Sequence, residues 1–169
     1  VKTKEDIYED TYTDKEVIFV DVCPGDKLLE KICKLAKRVV ILDHHKTNRE
    51  LLESLSTMET TPDNLYTIFD MDRAGCQIAW DYIYNIRPHN EPGRLSGKQE
   101  RLWFVDYIAD RDLWNWELED SKIINNAMYD LGYSRSFEGF DKMEHNSRII
   151  ETKLLPYGKS IEIKNKQNL

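Results

Sequence analysis

Two hydrophobic patterns alternate along the first half of this sequence. Runs of consecutive aliphatic and aromatic residues predict strands buried on both faces, and we place these at 16–22, 39–42 and 65–69. Between and after them, apolar residues recur at three- and four-residue spacing, which predicts amphipathic helices; these fall at 26–36, 47–56 and 74–86. A strand, a helix and a second strand form a unit whose two strands run parallel.

The second half of the sequence carries the helical pattern alone. Helices are expected at 99–109, 120–131, 137–143 and 147–159, after a loop at 87–98 that contains two Pro and two Gly. We therefore predict an α/β protein, with a three-layer α/β/α domain and a mostly parallel sheet over 16–158. A polar segment at 1–15 precedes this domain, and 159–169 form an outgoing helix or linker.

Composition and charge restrict the kinds of partner that we expect this protein to bind. The chain has 169 residues, of which 40% are hydrophobic and 33% charged, and this is typical of one folded domain. A formal net charge of −7 argues against an extended basic surface for duplex nucleic acid. A short single strand or a nucleotide can still bind at a local cationic or metal-lined cleft. No apolar run approaches the ~20 residues that a membrane helix needs, so we expect no membrane contact.

The cysteines and the start of the chain bear on its location. Cys23, Cys33 and Cys76 are odd in number and form no Cys-x-x-Cys pair, which favours free thiols in a reducing compartment. No signal-peptide pattern opens the chain. We therefore expect an intracellular, cytoplasmic protein, with an organelle as the open alternative. The chain begins with Val1 and not Met, which favours a processed product or an excerpt of a longer chain.

An acid and two imidazoles, Asp43, His44 and His45, stand where the second predicted strand ends. Ligands of parallel sheets bind at the carboxyl ends of the strands, and these side chains offer donors that divalent cations accept. Neighbouring residues of an extended chain point to opposite sides, so we expect one histidine to bind metal and the other to face substrate. The alternative is an aspartate that caps the following helix beside two surface histidines.

Acids also follow the other predicted strands. Asp21 ends the first strand, and parallel pairing brings it to the same edge of the sheet as Asp43. Asp70 and Asp72 follow the third strand. The Ala-Gly pair at 74–75 comes next, and such small residues let a ligand or a strand approach the start of a helix closely.

A later helix ends in Asp110, Arg111 and Asp112, set between apolar residues. This group is either part of a polar site or an ion-paired helix end in which the arginine neutralises its neighbours. Taken alone, these residues favour the ion pair.

Four blocks of the chain share the order and spacing of one known family. They are Phe19-Val20-Asp21 with Pro24, Ile41-Leu42-Asp43-His44-His45-Lys46-Thr47, Phe69-Asp70-Met71-Asp72-Arg73-Ala74-Gly75 and Tyr107-Ile108-Ala109-Asp110-Arg111-Asp112-Leu113-Trp114. In these blocks the chain resembles the DHH phosphoesterase superfamily, named for the motif at 43–45. The resemblance covers about 17–158 and lies nearest the exopolyphosphatase-related branch of a superfamily that includes RecJ-like exonucleases and cyclic-dinucleotide phosphodiesterases. It favours a metal site for the histidines.

The resemblance implies a metal-dependent hydrolase of phosphodiester or phosphoanhydride bonds, with metal-activated water as the nucleophile. Asp21, His44 and Asp110 match metal ligands. His45 matches the residue that faces the scissile phosphate, and Arg111 is a candidate to neutralise it. Candidates to orient the histidines, bind phosphate or add a ligand are Asp43, Lys46, Arg73 and Asp112. The implied cofactor is Mn²⁺ or Mg²⁺, up to two ions in a complete site, and the substrate a phosphate-containing small molecule or a short single-stranded nucleic acid.

The chain departs from this family at both ends. The family's N-terminal strand ending in Asp-x-Asp-Gly, which supplies much of one metal site, has no counterpart before Asp21, and the glycine-rich C-terminal substrate domain is missing too. If these parts lie outside this excerpt, we expect an active Mn²⁺-dependent phosphoesterase. If they are lost, we expect a catalytically degenerate domain that serves a larger assembly as a structural or interaction subunit with protein partners. A nucleotide-binding module is a third alternative, whose ligand binding a chelator would not affect.

Overall fold

Three parallel strands form the sheet in the first half of the chain, namely β1 (Glu16–Val20), β2 (Arg38–Asp43) and β3 (Leu65–Phe69). This computed structural model describes residues 11–55, 61–86 and 100–167. The chain divides into a first unit, Val1–Gln99, and a second unit, Glu100–Leu169. The described part of the first unit contains the sheet, and that of the second is helical.

The strand order is β1-β2-β3, with β2 in the centre. Val20 of β1 pairs with Leu42 of β2, and Asp43 of β2 pairs with Phe69 of β3. All three strands therefore run in the same direction and end at one edge of the sheet, as the predicted order of elements requires.

Helices cover both faces of this sheet: α1 (Asp26–Leu35), α2 (Arg49–Leu55) and α3 (Gly75–Asp81), the last continued by a π-helical turn, Tyr82–Ile86. One face packs against α1 and α2 through a cluster of buried residues, Leu29, Ile32, Cys33, Ala36, Val39, Ile41, Leu52 and Leu65. On the other face, Ile78 and Tyr82 pack against Val40 and Leu42. The predicted three-layer α/β/α fold with a parallel sheet is thereby confirmed.

The central strand β2 is buried on both sides. Val39 and Ile41 belong to the cluster with α1 and α2, whereas Val40 and Leu42 face α3, and all four have no exposed surface. Burial of such side chains stabilises the fold by about 1.5–3 kcal/mol each and fixes the register of the strand. By the same alternation, Asp43 points to the same face of the sheet as Val39 and Ile41.

Strand β1 ends two residues before the predicted strand does. Asp21 has a left-handed backbone with φ of +62°, which interrupts an extended strand. Its N–H still donates to the carbonyl of Leu42 at 2.8 Å, so Asp21 stays attached to the edge of the sheet. The prediction of a strand through Val22 is wrong for this reason.

Two helices begin differently from what the sequence predicts. The polar residues predict Asp26 as the N-cap of α1 and either Thr47 or Asn48 as the N-cap of α2. Gly25 is the N-cap of α1, and Asp26 is its first residue. Before α2 the chain forms a short 3₁₀ turn, Lys46–Asn48. The Asn48 amide donates to a carboxylate of the preceding strand instead of capping α2.

The described part of the second unit contains α4 (Trp103–Asp112), α5 (Ser121–Asp130), α6 (Phe137–Glu144) and α7 (Leu155–Gln167), with a π-helical turn at Ile150–Leu154. Helix α5 packs against both α4 and α7. The buried side chains of this unit include Phe104, Val105, Ala109, Ile124, Ala127, Met128, Met143 and Leu154. The order of helices agrees with prediction, but α4 ends at Asp112 and not at Ala109, and α7 runs beyond residue 159.

Some predictions concern residues outside the described ranges, namely the loop 87–98 and most of the leading segment 1–15. The domain boundaries at residues 16 and 158 stay predictions. Cys23, Cys33 and Cys76 are free thiols. Within 11–55, 61–86 and 100–167, no helix combines the length and hydropathy that crossing a bilayer demands.

Candidate metal centre

The ends of β1 and β2 bring a carboxylate and an imidazole together. Asp21 follows β1, and its Oδ1 lies 3.0 Å from Nε2 of His44, which follows β2. The His44 side chain is 11% exposed and the Asp21 side chain 46%. The two meet because the parallel register aligns Val20 with Leu42, so the residues just beyond this pair are neighbours.

Asp43, the last residue of β2, is fully buried and accepts four hydrogen bonds. Its Oδ1 accepts from the backbone N–H groups of His44, at 2.8 Å, and His45, at 3.2 Å. The same oxygen lies 2.7 Å from Nδ1 of His45, and Oδ2 accepts from the Asn48 amide at 2.7 Å. Asp43 therefore fixes the turn that carries both histidines. It does not cap the 3₁₀ turn that follows, whose N-cap residue is His45.

The surroundings of Asp43 favour its ionised form. Burial by itself raises the pKa of this carboxyl. Hydrogen bonds from the His45 ring, from Asn48 and from the two histidine N–H groups outweigh burial and lower the pKa below its ordinary value. An ionised carboxylate only accepts hydrogen bonds, so Nδ1 of His45 carries the shared proton. In the neutral ring, Nε2 then holds the lone pair.

The two histidines occupy different environments, as alternation along an extended chain predicts. The His45 side chain is 49% exposed, in contrast to the nearly buried His44. Their ring centroids are 4.6 Å apart and the rings are tilted by 58°. His44 therefore lies against the Asp21 carboxylate, while His45 is accessible from solvent.

Asp21, His44 and His45 form a group of donors that could hold a metal ion. Each offers one ligand atom, and these atoms lie within 4.8 Å of one another. The 3.0 Å between Asp21 Oδ1 and His44 Nε2 is the distance of an ordinary imidazole–carboxylate ion pair. It also suits two neighbouring ligands of one ion, because bonds of about 2.1 Å at right angles end about 3.0 Å apart. Imidazole donors suit Mn²⁺ better than Mg²⁺.

Beyond β3, Arg73 is the centre of an ion-pair cluster. Its Nε donates to Asp70 Oδ2 at 2.7 Å, and its Nη1 donates to Asp81 Oδ2 at 2.8 Å. Asp70 also accepts from the backbone N–H of Asp72, and this bond, together with Arg73, lowers the Asp70 pKa. Arg73 is therefore engaged by two carboxylates that connect the end of β3 to α3. Its candidacy for phosphate binding stays a prediction.

Lys46 stands directly after His45, at the start of the 3₁₀ turn, and is exposed. An ammonium group at this position can neutralise a phosphate oxygen near the histidines. Its role also stays a prediction.

Asp110 belongs to the second unit, where it organises the loop between α4 and α5. The residue is 7% exposed, and its carboxylate accepts from the N–H of Glu117 at 2.9 Å and the N–H of Leu118 at 3.4 Å. The Ser121 hydroxyl donates to it as well. The loop contains three non-glycine residues with left-handed backbones, Trp114, Trp116 and Asp120. Such residues cost about 1–3 kcal/mol each, so the loop depends on bonds of this kind.

We expect Asp110→Asn to lower the free energy of unfolding of the second unit by about 1–3 kcal/mol, because charge-assisted bonds to the loop are lost. Burial raises the Asp110 pKa, but Ser121 and the loop N–H groups outweigh it and lower the pKa. The stabilisation is therefore complete above the unfolded pKa of about 3.9 and disappears as pH falls through the lower folded value. Urea unfolding with chelator at pH 7 and pH 3 measures both effects.

Asp130→Asn is the matched control for this prediction. Asp130 is exposed at the end of α5, and its replacement should change stability by less than about 0.5 kcal/mol. A metal-free Asp110→Asn protein as stable as the wild type would show that Asp110 does not hold the loop.

Arg111 and Asp112 are exposed at the end of α4. The Arg111 guanidinium lies 5.9 Å from the centre of the Tyr129 ring. In the described part of the chain, the donors to Asp110 are the loop N–H groups and Ser121, so an ion pair with Arg111 is not what neutralises it. The assignments of Asp110 and Asp112 as ligands, and of Arg111 as a catalytic residue, stay predictions.

Sequence reasoning missed one residue of this site, and at another it predicted a close approach by a ligand or a strand and not by an aspartate side chain. Asn48 donates to Asp43, but its sequence position only suggested a helix cap. Gly75 was expected to permit a close approach at the start of α3, and the Asp21 side chain lies against it. The spacing does contain a signal for Asn48. It lies five residues after Asp43, and a short turn of that length brings its amide back to the Asp43 carboxylate.

Comparisons with known proteins add one relative. The chain is 26% identical over 121 residues to the uncharacterized protein R106 of Acanthamoeba polyphaga mimivirus. The match covers 72% of this chain and 24% of the relative, so the chain spans about a quarter of that protein's length. No family model matches the chain, and no solved structure matches it.

Proposed function

We propose that this chain carries part of the active site of a metal-dependent hydrolase that cleaves phosphodiester or phosphoanhydride bonds. One observation carries the proposal: the carboxylate of Asp21 and the imidazole of His44 lie 3.0 Å apart at the carboxyl edge of a parallel sheet. Ligands bind at this edge in sheets of this class.

In the proposed site, Asp21 and His44 would hold the cation, most suitably Mn²⁺. When bound, the ion would supply Lewis acidity toward a water nucleophile and neutralise charge on the phosphoryl group. His44 is nearly buried and Asp21 is tied by its N–H to β2, so both ligands are held before the ion binds. Such preorganisation favours binding because little side-chain freedom is lost.

His45 acts at the reacting phosphate in this proposal. Its Nδ1 donates to the ionised Asp43, which leaves Nε2 able to take a proton from water or give one to the leaving oxygen. Asp43 then stabilises the imidazolium that forms when Nε2 is protonated. Lys46, exposed beside His45, neutralises a non-bridging phosphate oxygen.

The substrate class comes from the family resemblance. A cation with a neighbouring acid–base group suits phosphoryl hydrolysis, and the resemblance implies short oligonucleotides, cyclic dinucleotides or polyphosphate as candidate substrates. A second ion in a complete site rests on the family resemblance alone.

Asp21→Asn is the variant that tests the proposal. We expect it to lower Mn²⁺ affinity at least about 100-fold and to remove hydrolysis, because an amide is a weak ligand. Asp63→Asn is the matched control, since Asp63 is an exposed acid of a loop in the same unit. Calorimetric titration with Mn²⁺, followed by assays on short oligonucleotides, a cyclic dinucleotide and polyphosphate, compares both variants with the wild type.

Hydrolysis of none of these substrates by a wild-type chain that binds Mn²⁺ would favour the alternative, a degenerate domain that serves an assembly. Nucleotide binding that persists in chelator would favour the simple binding module. A wild-type chain that binds no Mn²⁺ would contradict the metal centre itself.

A further inference from the structure

Gly75, the first residue of α3, is buried against the Asp21 side chain. A Cβ atom at this position would lie 2.6 Å from Asp21 Oδ1 and 2.8 Å from both Cβ and Cγ of Asp21. Real Cβ atoms do not approach other atoms so closely, and the three nearest atoms all belong to the same aspartate. The side chain of Asp21 therefore occupies the space that any larger residue at 75 would need.

Asp21 cannot yield this space without leaving its place beside His44. Its backbone is held at φ of +62°, and its N–H is bonded to the Leu42 carbonyl. Its Oδ1, the atom nearest to Gly75, is also the atom that lies 3.0 Å from His44. A movement that relieves the contact at 75 therefore moves a proposed ligand atom.

The start of α3 is fixed as well. Arg73, two residues earlier, bonds to Asp70 after β3 and to Asp81 within α3. The side chain of Gln77 accepts from the N–H of Ala74, the N-cap residue, at 3.2 Å. Because these bonds hold the helix start in place, Asp21 and not α3 is the part that would move.

We propose that Gly75 is a positioning residue for the Asp21 carboxylate, because its missing side chain lets that carboxylate stand where it can ligate a cation together with His44. The inference rests on the proposed function, in which Asp21 and His44 hold the metal. Gly75 itself touches neither ion nor substrate. It acts through Asp21.

The first test is Gly75→Ala in the full chain. We expect Mn²⁺ affinity to fall about 10- to 100-fold, the range seen when groups that orient metal ligands are changed. Gly25→Ala is the matched control, because a Cβ at Gly25 meets nothing within 4 Å and the residue has φ of −63°. The control should keep the wild-type affinity within about twofold. The EPR spectrum of bound Mn²⁺ in Gly75→Ala should resemble that of Asp21→Asn, which a purely structural change elsewhere would not produce.

The second test separates the steric claim from metal binding. Asp21→Gly removes the side chain that the new methyl group would meet and suits the left-handed backbone. Gly75→Ala should therefore lower the urea midpoint of the metal-free protein when Asp21 is present and should not lower it in the Asp21→Gly background. This double-mutant cycle isolates the coupling between the two positions.

The outcomes distinguish the two proposals. A wild type that binds no Mn²⁺ would end the proposed function and with it the positioning role, whatever the cycle shows. If the wild type binds Mn²⁺ but Gly75→Ala binds it equally well, the function survives and the positioning role is wrong. An equal loss of stability in both backgrounds would likewise overturn the inference, because Gly75 would then be needed for packing unrelated to Asp21.

Discussion

Replacement of His45 by glutamine is expected to lower the turnover of phosphoester hydrolysis about 100- to 10,000-fold, the usual contribution of a positioned general acid or base. Glutamine can still donate to Asp43 but cannot exchange a proton near neutral pH. Since the wild-type ring is 49% exposed and bonded to Asp43 through Nδ1, the fold should tolerate the change. Steady-state kinetics at saturating Mn²⁺ measure the loss.

The His44→Gln variant distinguishes the role of His44 from that of His45. His44 lies against Asp21 and is proposed as a ligand, so its replacement should raise the Mn²⁺ dissociation constant more than the replacement of His45 does. Turnover at saturating Mn²⁺ should instead be lower in His45→Gln. Equal effects of both variants on affinity and turnover would contradict the division of roles.

The second large effect is expected from Asp43→Ala, which should lower the free energy of unfolding of the first unit by about 3 kcal/mol. Asp43 has no exposed surface, and its removal leaves the N–H groups of His44 and His45 and the Asn48 amide without their acceptor. Hydrogen exchange of peptides from β1 and β2, in chelator, follows this unit separately from the second one.

Two variants calibrate this prediction. Asp43→Asn keeps the volume and one acceptor oxygen, but its amide faces the Asn48 amide, so an intermediate loss is expected. Asn48→Ala removes only one donor and should cost about 1 kcal/mol. If Asp43→Ala exchanged no faster than the wild type, the carboxylate would not be what holds the turn.

The sheet could be predicted from the sequence because its central strand is an uninterrupted aliphatic run. Residues 39–42 are buried on both faces, and a run of this kind is typical of a parallel sheet covered by helices on each side. The amphipathic spacing of α1 then placed a helix between two strands, which required them to be parallel. These two patterns place Asp21 and the Asp43-His44-His45 group at the same edge of the sheet.

The ends of elements were harder to predict, because they depend on contacts between residues distant in sequence. Asp21 leaves the extended conformation in the space beside Gly75, 54 positions later in the chain, and no local pattern announces that contact. Asn48 bonds to Asp43 because a 3₁₀ turn brings it back, whereas its residue type equally suits a cap. Conformational propensity describes each residue in isolation, whereas these element ends depend on contacts between two residues.

Asp110 illustrates the same limit in the second unit. Its neighbours Arg111 and Asp112 suggested an ion pair, yet its carboxylate accepts from N–H groups seven and eight residues later. Those groups become available only because the intervening loop adopts left-handed conformations at Trp114 and Trp116. Neither residue type favours that conformation, so the loop could not be read from the sequence.

The alternation of β2 also limits how this segment can change during evolution. Insertion or deletion of one residue within Arg38–Asp43 would turn the following side chains to the opposite faces. Asp43 would then leave the buried face that it shares with Val39 and Ile41, and His44 would turn away from Asp21, although no residue had been substituted. Homologues that keep this chemistry are therefore expected to accept gaps in their loops while this strand retains its length.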